Sequence, residues 1–146
     1  MTGNGVLIPN PEVHFMKIKR GQVYLASLDP VVGSEQGGTR PVVVVQNDIG
    51  NYYSSTVVAA VTSKSKKPDL PTHVMIENND GGLIKGGVIL LDQIRTLDKS
   101  RLLDYIGTLN KETMDAVDRA FFVSIGVIMP NETIIHKTED ENNDDK

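Results

Sequence analysis

Short β-rich segments recur along the chain, some alternating apolar and polar residues with a period of two and others continuously apolar, and only near its end does a helical period appear. A period of two puts every second side chain on the same face of a strand. Residues 17–28 carry Ile18, Val23 and Leu25 among Lys17, Lys19, Arg20 and Gln22, which predicts a first strand with a bulge or sharp bend at Gly21. Residues 41–46 hold Val42, Val43, Val44 and Val45 in succession. Four β-branched side chains in a row predict a buried strand, and Pro41 suits its first position, where a missing N–H costs least. A third strand is predicted at 56–62 and a fourth at 72–77. The fourth sets Thr72, Val74 and Ile76 on one face and His73, Met75 and Glu77 on the other. Residues 88–97 read as a long, mostly buried fifth strand, and residues 101–109 as a short sixth.

The helical stretch follows Asn110, a suitable N-cap, with Glu112 in the first turn where a negative charge is favoured. Met114, Val117, Phe121, Ile125 and Ile128 recur at spacings of three and four, so one apolar stripe is predicted to run as far as Pro130. Between these segments, residues 47–51 are a cluster of turn formers, 64–68 form a basic loop closed by Pro68, and 78–87 are glycine-rich. Gly81-Gly82 and Gly86-Gly87 read as turn glycines rather than a nucleotide cradle. Five or six short strands and one late helix predict a mainly β fold with a C-terminal helix, a small and strongly bent sheet or barrel capped by that helix.

The chain's 146 residues suit one domain with a real core. Residues 1–15 read as a flexible extension, 16–129 as the compact domain, and 130–146 as an acidic tail expected to be disordered. The absence of cysteine removes disulfides and thiolate metal sites and points to a cytoplasmic setting. The longest apolar runs are far short of the roughly 18 residues that span a bilayer, so no membrane partner is expected. The formal net charge is -4, yet residues 131–146 alone hold six acids and two bases. The acidity therefore belongs to the tail, and the remaining 130 residues are balanced, leaving local basic patches free to attract phosphate.

Few residues are available for chemistry. The three histidines are His14, His73 and His136, and the outer two lie in the extensions, so neither a histidine acid–base pair nor a Ser-His-Asp triad is expected. Metal-ligand spacing and a P-loop are absent, and no cofactor is called for. What stands out is the loop Gly33-Ser34-Glu35-Gln36-Gly37-Gly38-Thr39-Arg40-Pro41, which delivers one arginine to the start of the valine run. Arg40 is either a surface cation paired with a carboxylate or an anion-binding group whose planar fork matches a phosphate. Thr62 is either a plain β-former or a hydroxyl donor at a strand end. Lys64, Lys66 and Lys67 are either a solvated loop or a patch that steers phosphate. Glu35 is a loop acid, an acceptor for a base edge, or the partner of Arg40. His73 reads as a half-buried structural residue.

Residues 19–24 (Lys-Arg-Gly-Gln-Val-Tyr) and 30–41, then 46–51, 70–74 and 89–96, resemble in order the MazF/PemK/Kid family of toxin ribonucleases. The resemblance covers about residues 16–128 and is similar above all to toxins of Gram-positive bacteria. It implies a CcdB-like, SH3-like small barrel that forms a homodimer. It also implies a type II toxin that cuts single-stranded mRNA at a set sequence without metal or ribosome, and is neutralised by a cognate MazE-like antitoxin. The family's catalytic arginine falls on Arg40 and its catalytic threonine on Thr62. Ser34, Glu35, Gln36, Asp92 and Gln93 match positions expected to touch RNA. Attack by the 2′-OH on the adjacent phosphorus would leave a 2′,3′-cyclic phosphate and a 5′-OH, with Arg40 steadying the charge that builds on the phosphoryl oxygens. Two other readings are a non-catalytic toxin on the same barrel that binds a protein such as DNA gyrase, and a plain RNA-binding barrel.

Overall fold

The computed structural model describes residues 17–64 and 70–131. The expected extension and acidic tail therefore lie outside the described residues, apart from Pro130 and Asn131 at the start of the tail, as do Lys66 and Lys67. Six strands form one antiparallel sheet: β1 (Gln22–Ser27), β2 (Thr39–Val44), β3 (Ser55–Thr62), β4 (His73–Ile76), β5 (Gly87–Asp98) and β6 (Leu102–Thr108), in the order β4-β5-β3-β2-β1-β6. A single α-helix, α1 (Lys111–Ser124), follows the last strand.

The valine run explains the architecture. Its side chains alternate between two cores, Val43 and Val45 with one cluster, Val42 and Val44 with the other. A strand buried on both faces carries apolar residues at every position. The first core, which includes Val61, Ile76, Ile89 and Leu91, is covered by Val117 and Ala120 of α1, with Met114 and Phe121 packed at its edge. The second joins Tyr24, Leu28 and Val58 to Leu97 of β5 and Leu102 of β6. Those two strands stand second and sixth in the sheet, yet one short turn, Lys99–Arg101, connects them. Only a sheet curled on itself brings them together, which is the expected small barrel.

The bend has a visible cause in β5. Ala59 of β3 pairs with Ile94 and Ala60 with Leu90, so Leu91, Asp92 and Gln93 are looped out of the ladder. Such a bulge turns the strand and re-aims its side chains. The helix starts as expected, with Asn110 Oδ1 accepting from the Thr113 amide at 2.8 Å. Asp80 strengthens the start, accepting from the Asn110 amide and from Thr113 Oγ1. Arg20 forms an ion pair with Asp118, tying the approach to β1 onto the helix.

Some boundaries differ from the expectation. Gly21 lies before β1, at φ +90 in a turn, not in the middle of a strand. Pro41 is the third residue of β2, opposite Leu25, because the strand takes in Thr39 and Arg40. The helix ends at Ser124, and Gly126 at φ +79 ends the apolar stripe before Pro130 is reached. Ile125 is correspondingly 55% exposed. The glycine pairs are packing residues of turns: a Cβ on Gly82 would meet the Ile106 carbonyl oxygen at 2.2 Å, and one on Gly86 the Ile76 carbonyl oxygen at 2.1 Å. No helix among the described residues is long and apolar enough to cross a membrane.

Candidate active site

Arg40 is the second residue of β2 and Thr62 the last of β3. The two strands pair Val42 with Ala60, Val43 with Ala59 and Val44 with Val58. Carried two residues further, the same register sets Arg40 directly opposite Thr62 and on the same face. Opposed residues of an antiparallel pair have their Cβ atoms within about 5.5 Å. Both line one open cleft of about 470 Å³, together with Pro41, Val61, Ser63 and Gly86.

The cleft is rich in unused donors. Arg40 Nε donates to the Gly37 carbonyl oxygen at 2.8 Å, which fixes the plane of the guanidinium. Among the described residues its two Nη groups have no hydrogen-bond partner, and neither has the Thr62 hydroxyl. A fork of N–H groups beside a neutral hydroxyl suits an oxyanion such as a phosphate diester.

The loop from residue 29 to residue 38 is tied to its surroundings at several points. Glu35 Oε1 accepts from the Val32 amide at 2.5 Å, and the Glu35 amide donates to the Val32 carbonyl oxygen at 3.2 Å, closing the tip on itself. Its carboxylate is therefore a loop fastener in this structure, and the expected alternative pairing with Arg40 is not formed. The Gln36 amide donates to Gln93 Oε1 at 3.1 Å. Glu35, Gln36, Gln93 and Arg95 line a small cavity of about 50 Å³ floored by Val42 and Ala60, next along the strands from Arg40 and Thr62. Ser34 is exposed at the loop tip.

The remaining expected contacts lie further out. Asp92, on the looped-out part of β5, is within 3.4 Å of His73 Nε2. The His73 ring is buried, in keeping with a structural role. Lys64 Nζ donates to Asn78 Oδ1 at 2.8 Å, two residues beyond Thr62. Among the described residues no group of three or more acidic, histidine or cysteine side chains could hold a metal ion.

The sequence and fold have counterparts in known proteins. The sequence model of the family described as "PemK-like, MazF-like toxin of type II toxin-antitoxin system" matches residues 19–125. The chain belongs to this toxin family. A Bacillus subtilis (strain 168) relative, Endoribonuclease EndoA, is 56% identical over 114 residues, which are 77% of this chain and 98% of that protein. Two solved toxins share the fold. One is an endoribonuclease in complex with its cognate antitoxin from a mycobacterial species, with TM-score 0.65 and 29% identity over 77% of this chain and 99% of that one. The other is MazF from Deinococcus radiodurans, with TM-score 0.66 and 26% identity over 76% of this chain and 98% of that one.

Within this toxin fold, reading the sequence missed the groups that hold the loop from below. Asp29 Oδ1 accepts from the Gly38 amide at 2.9 Å. Arg95 Nη1 donates to the Leu28 carbonyl oxygen at 2.7 Å, and Arg101 Nη1 to those of Ser27 and Asp29. The one available signal was Asp29-Pro30, a turn-forming pair at the end of a strand.

Proposed function

We propose that this toxin is an endoribonuclease that cuts single-stranded mRNA by transesterification, with Arg40 and Thr62 as its catalytic residues. The observation that carries the reading is the opposition of these two residues across one cleft, with their phosphate-matching donors unused. RNA brings its own nucleophile. The 2′-oxygen forms a bond to the adjacent phosphorus, the bond from phosphorus to the 5′-oxygen breaks, and a proton passes in net from the 2′-OH to the departing 5′-oxygen. The products are a 2′,3′-cyclic phosphate and a 5′-OH. Negative charge gathers on the non-bridging oxygens on the way, and preorganised donors aimed there lower the barrier. Arg40 supplies the charged fork and Thr62 a neutral hydrogen bond.

Bases on either side of the cut would be read by the exposed Ser34, by Glu35, Gln36 and Gln93 around the small cavity, and by Asp92. Unpaired bases offer their edges to such groups, which favours a single-stranded substrate. Lys64 would attract the backbone, and Lys66 and Lys67 belong to the same basic loop. The mycobacterial relative is seen with its cognate antitoxin. By that likeness this chain is held in check by a MazE-like antitoxin of its own, and from the family resemblance we infer a homodimer that acts in the cytoplasm.

The test is incubation of the purified protein with a long single-stranded RNA in excess EDTA, with fragment ends mapped, alongside Arg40→Ala. The expected result is discrete fragments with 5′-OH ends from the wild type and at least about a thousandfold slower cutting by Arg40→Ala. Undiminished cutting by Arg40→Ala would overturn the catalytic assignment. Intact RNA from both proteins would overturn the ribonuclease and favour a toxin that acts by binding a protein.

A further inference from the structure

We propose that Asp29 is a positioning residue that holds the Arg40 guanidinium in place through a single peptide unit. This rests on the reading of Arg40 as catalytic.

The peptide group between Gly37 and Gly38 has a partner at each end. Its N–H donates to Asp29 Oδ1 at 2.9 Å, and its carbonyl oxygen accepts from Arg40 Nε at 2.8 Å. In a trans peptide these two dipole ends point in opposite directions. A carboxylate and a guanidinium therefore sit at the two ends of one aligned dipole. Hydrogen bonds in such a chain polarise and strengthen one another.

This peptide needs holding. It joins two glycines, and with no Cβ on either side little opposes its rotation. Gly38 has φ +76, a conformation glycine enters without strain. Were the plane to turn over, the carbonyl would leave Arg40 Nε and the fork would lose its fixed direction. Asp29 is built close enough to prevent this. A Cβ on Gly37 would come within 2.7 Å of Asp29 Oδ1, so the carboxylate lies against the glycine it restrains.

Asp29 is itself anchored from the turn before β6, the strand paired with β1. Its carbonyl oxygen accepts from Arg101 Nη1 at 2.8 Å. The neighbouring Leu28 is fixed twice, by Arg95 Nη1 at its carbonyl and by its own amide, which donates to the Gly38 carbonyl oxygen at 2.9 Å. The path to Arg40 thus starts on β5 and the turn before β6 and crosses one side chain and one peptide.

What the path requires of Asp29 is an acceptor at that position. Asp29→Asn keeps a carbonyl oxygen of the same reach, while Asp29→Ala removes it. Two readouts separate this role from a general one in folding. Steady-state cleavage of a short RNA should show kcat falling about tenfold or more in Asp29→Ala with KM within about threefold, because the loss is one of orientation in the transition state, and Asp29→Asn should stay within about threefold of the wild type. The NMR signal of the Arg40 Nε–H, which needs no RNA, should be slow to exchange in wild type and Asp29→Asn and lost to solvent exchange in Asp29→Ala. Should Asp29→Ala not fold, Asp29→Ser takes its place, its oxygen too short to reach.

A folded Asp29→Ala that keeps the Arg40 Nε–H signal would overturn the proposal. So would an Asp29→Asn that loses it. If the signal behaves as expected and cleavage does not follow it, the relay stands as structure and the failure lies with Arg40 as the catalytic group, which the Arg40→Ala assay reads separately.

Discussion

At one end of β2 Asn51 is 2% exposed and has all its polar atoms engaged, whereas at the other end Arg40 is half-buried with most of its donors idle. The Asn51 amide group donates to the Gln46 carbonyl oxygen and accepts from Thr56 Oγ1 at 2.6 Å and from Gln46 Nε2 at 3.1 Å. Its backbone nitrogen donates to the Asn47 carbonyl oxygen, and its own carbonyl accepts from Lys99 Nζ at 2.5 Å. Both segments look alike as sequence: short, polar and rich in glycine, asparagine or glutamine. Burial separates them. A polar group cut off from water must find its partners inside the protein, because each unsatisfied one costs about 1–3 kcal/mol. A group at the rim of a cleft can leave donors free, since water meets them until a ligand does. The closed end shapes the strands, and the open end offers them to a substrate.

Asn51→Ala tests this division with the largest stability effect. It removes the partner of the buried Thr56 hydroxyl and of the Gln46 carbonyl, so unfolding in urea should show a loss of at least about 2 kcal/mol. Cleavage per folded molecule should be unchanged. Arg40→Ala should do the reverse, with a melting transition within about 0.5 kcal/mol of the wild type. An Asn51→Ala protein that is fully folded and inactive would break the contrast.

The contrast also shows what a sequence reveals here. The strands were legible because β-branched runs and period-two alternation report burial directly. The four valines gave β2, and the alternation around Val74 and Ile76 gave β4 with its buried and exposed faces. The end of the helix was not, because Ile125 and Ile128 continue the apolar period past Gly126, where the backbone turns left-handed. At the site, the glycine-bearing loop before a valine run marked Arg40. Its opposition to Thr62 depends on strand register, which no local pattern encodes. Asn51 read only as a turn former, and Asp29 gave almost no signal, because both act on backbone groups and backbone partners leave no spacing in the sequence.

Thr62→Val sharpens the open end with a smaller effect. Valine has the same branched shape and fits the end of β3, so only the hydroxyl is lost. If Thr62 donates to a phosphoryl oxygen in the transition state, kcat should fall about tenfold to a hundredfold with the fold unchanged. Cutting at the wild-type rate would leave Arg40 acting alone.

The smallest effect tests the packed floor of the small cavity beside the cleft, where Tyr24 belongs to the core that also holds Leu28 and Val42. Burial, and secondly the proximity of the Tyr105 phenol, push its hydroxyl up from 10.0 to about 12. It donates to Gln22 Oε1 at 2.8 Å, and the Tyr105 ring meets it edge-on at 5.6 Å. The fold thus favours the neutral phenol. An unfolded chain gives up that proton near pH 10, so the stabilisation is complete below about pH 10 and is lost as the pH climbs through about 12. Urea unfolding repeated up the alkaline range should show this decline, and Tyr24→Phe, which keeps the ring and removes the titration, should flatten it. Cleavage near neutral pH should be the same in both proteins, since the phenol has no partner in the cleft. An equal alkaline decline in Tyr24→Phe would place the sensitivity elsewhere. A change in neutral-pH cleavage would show that the floor and the open end are coupled and that burial does not divide their roles cleanly.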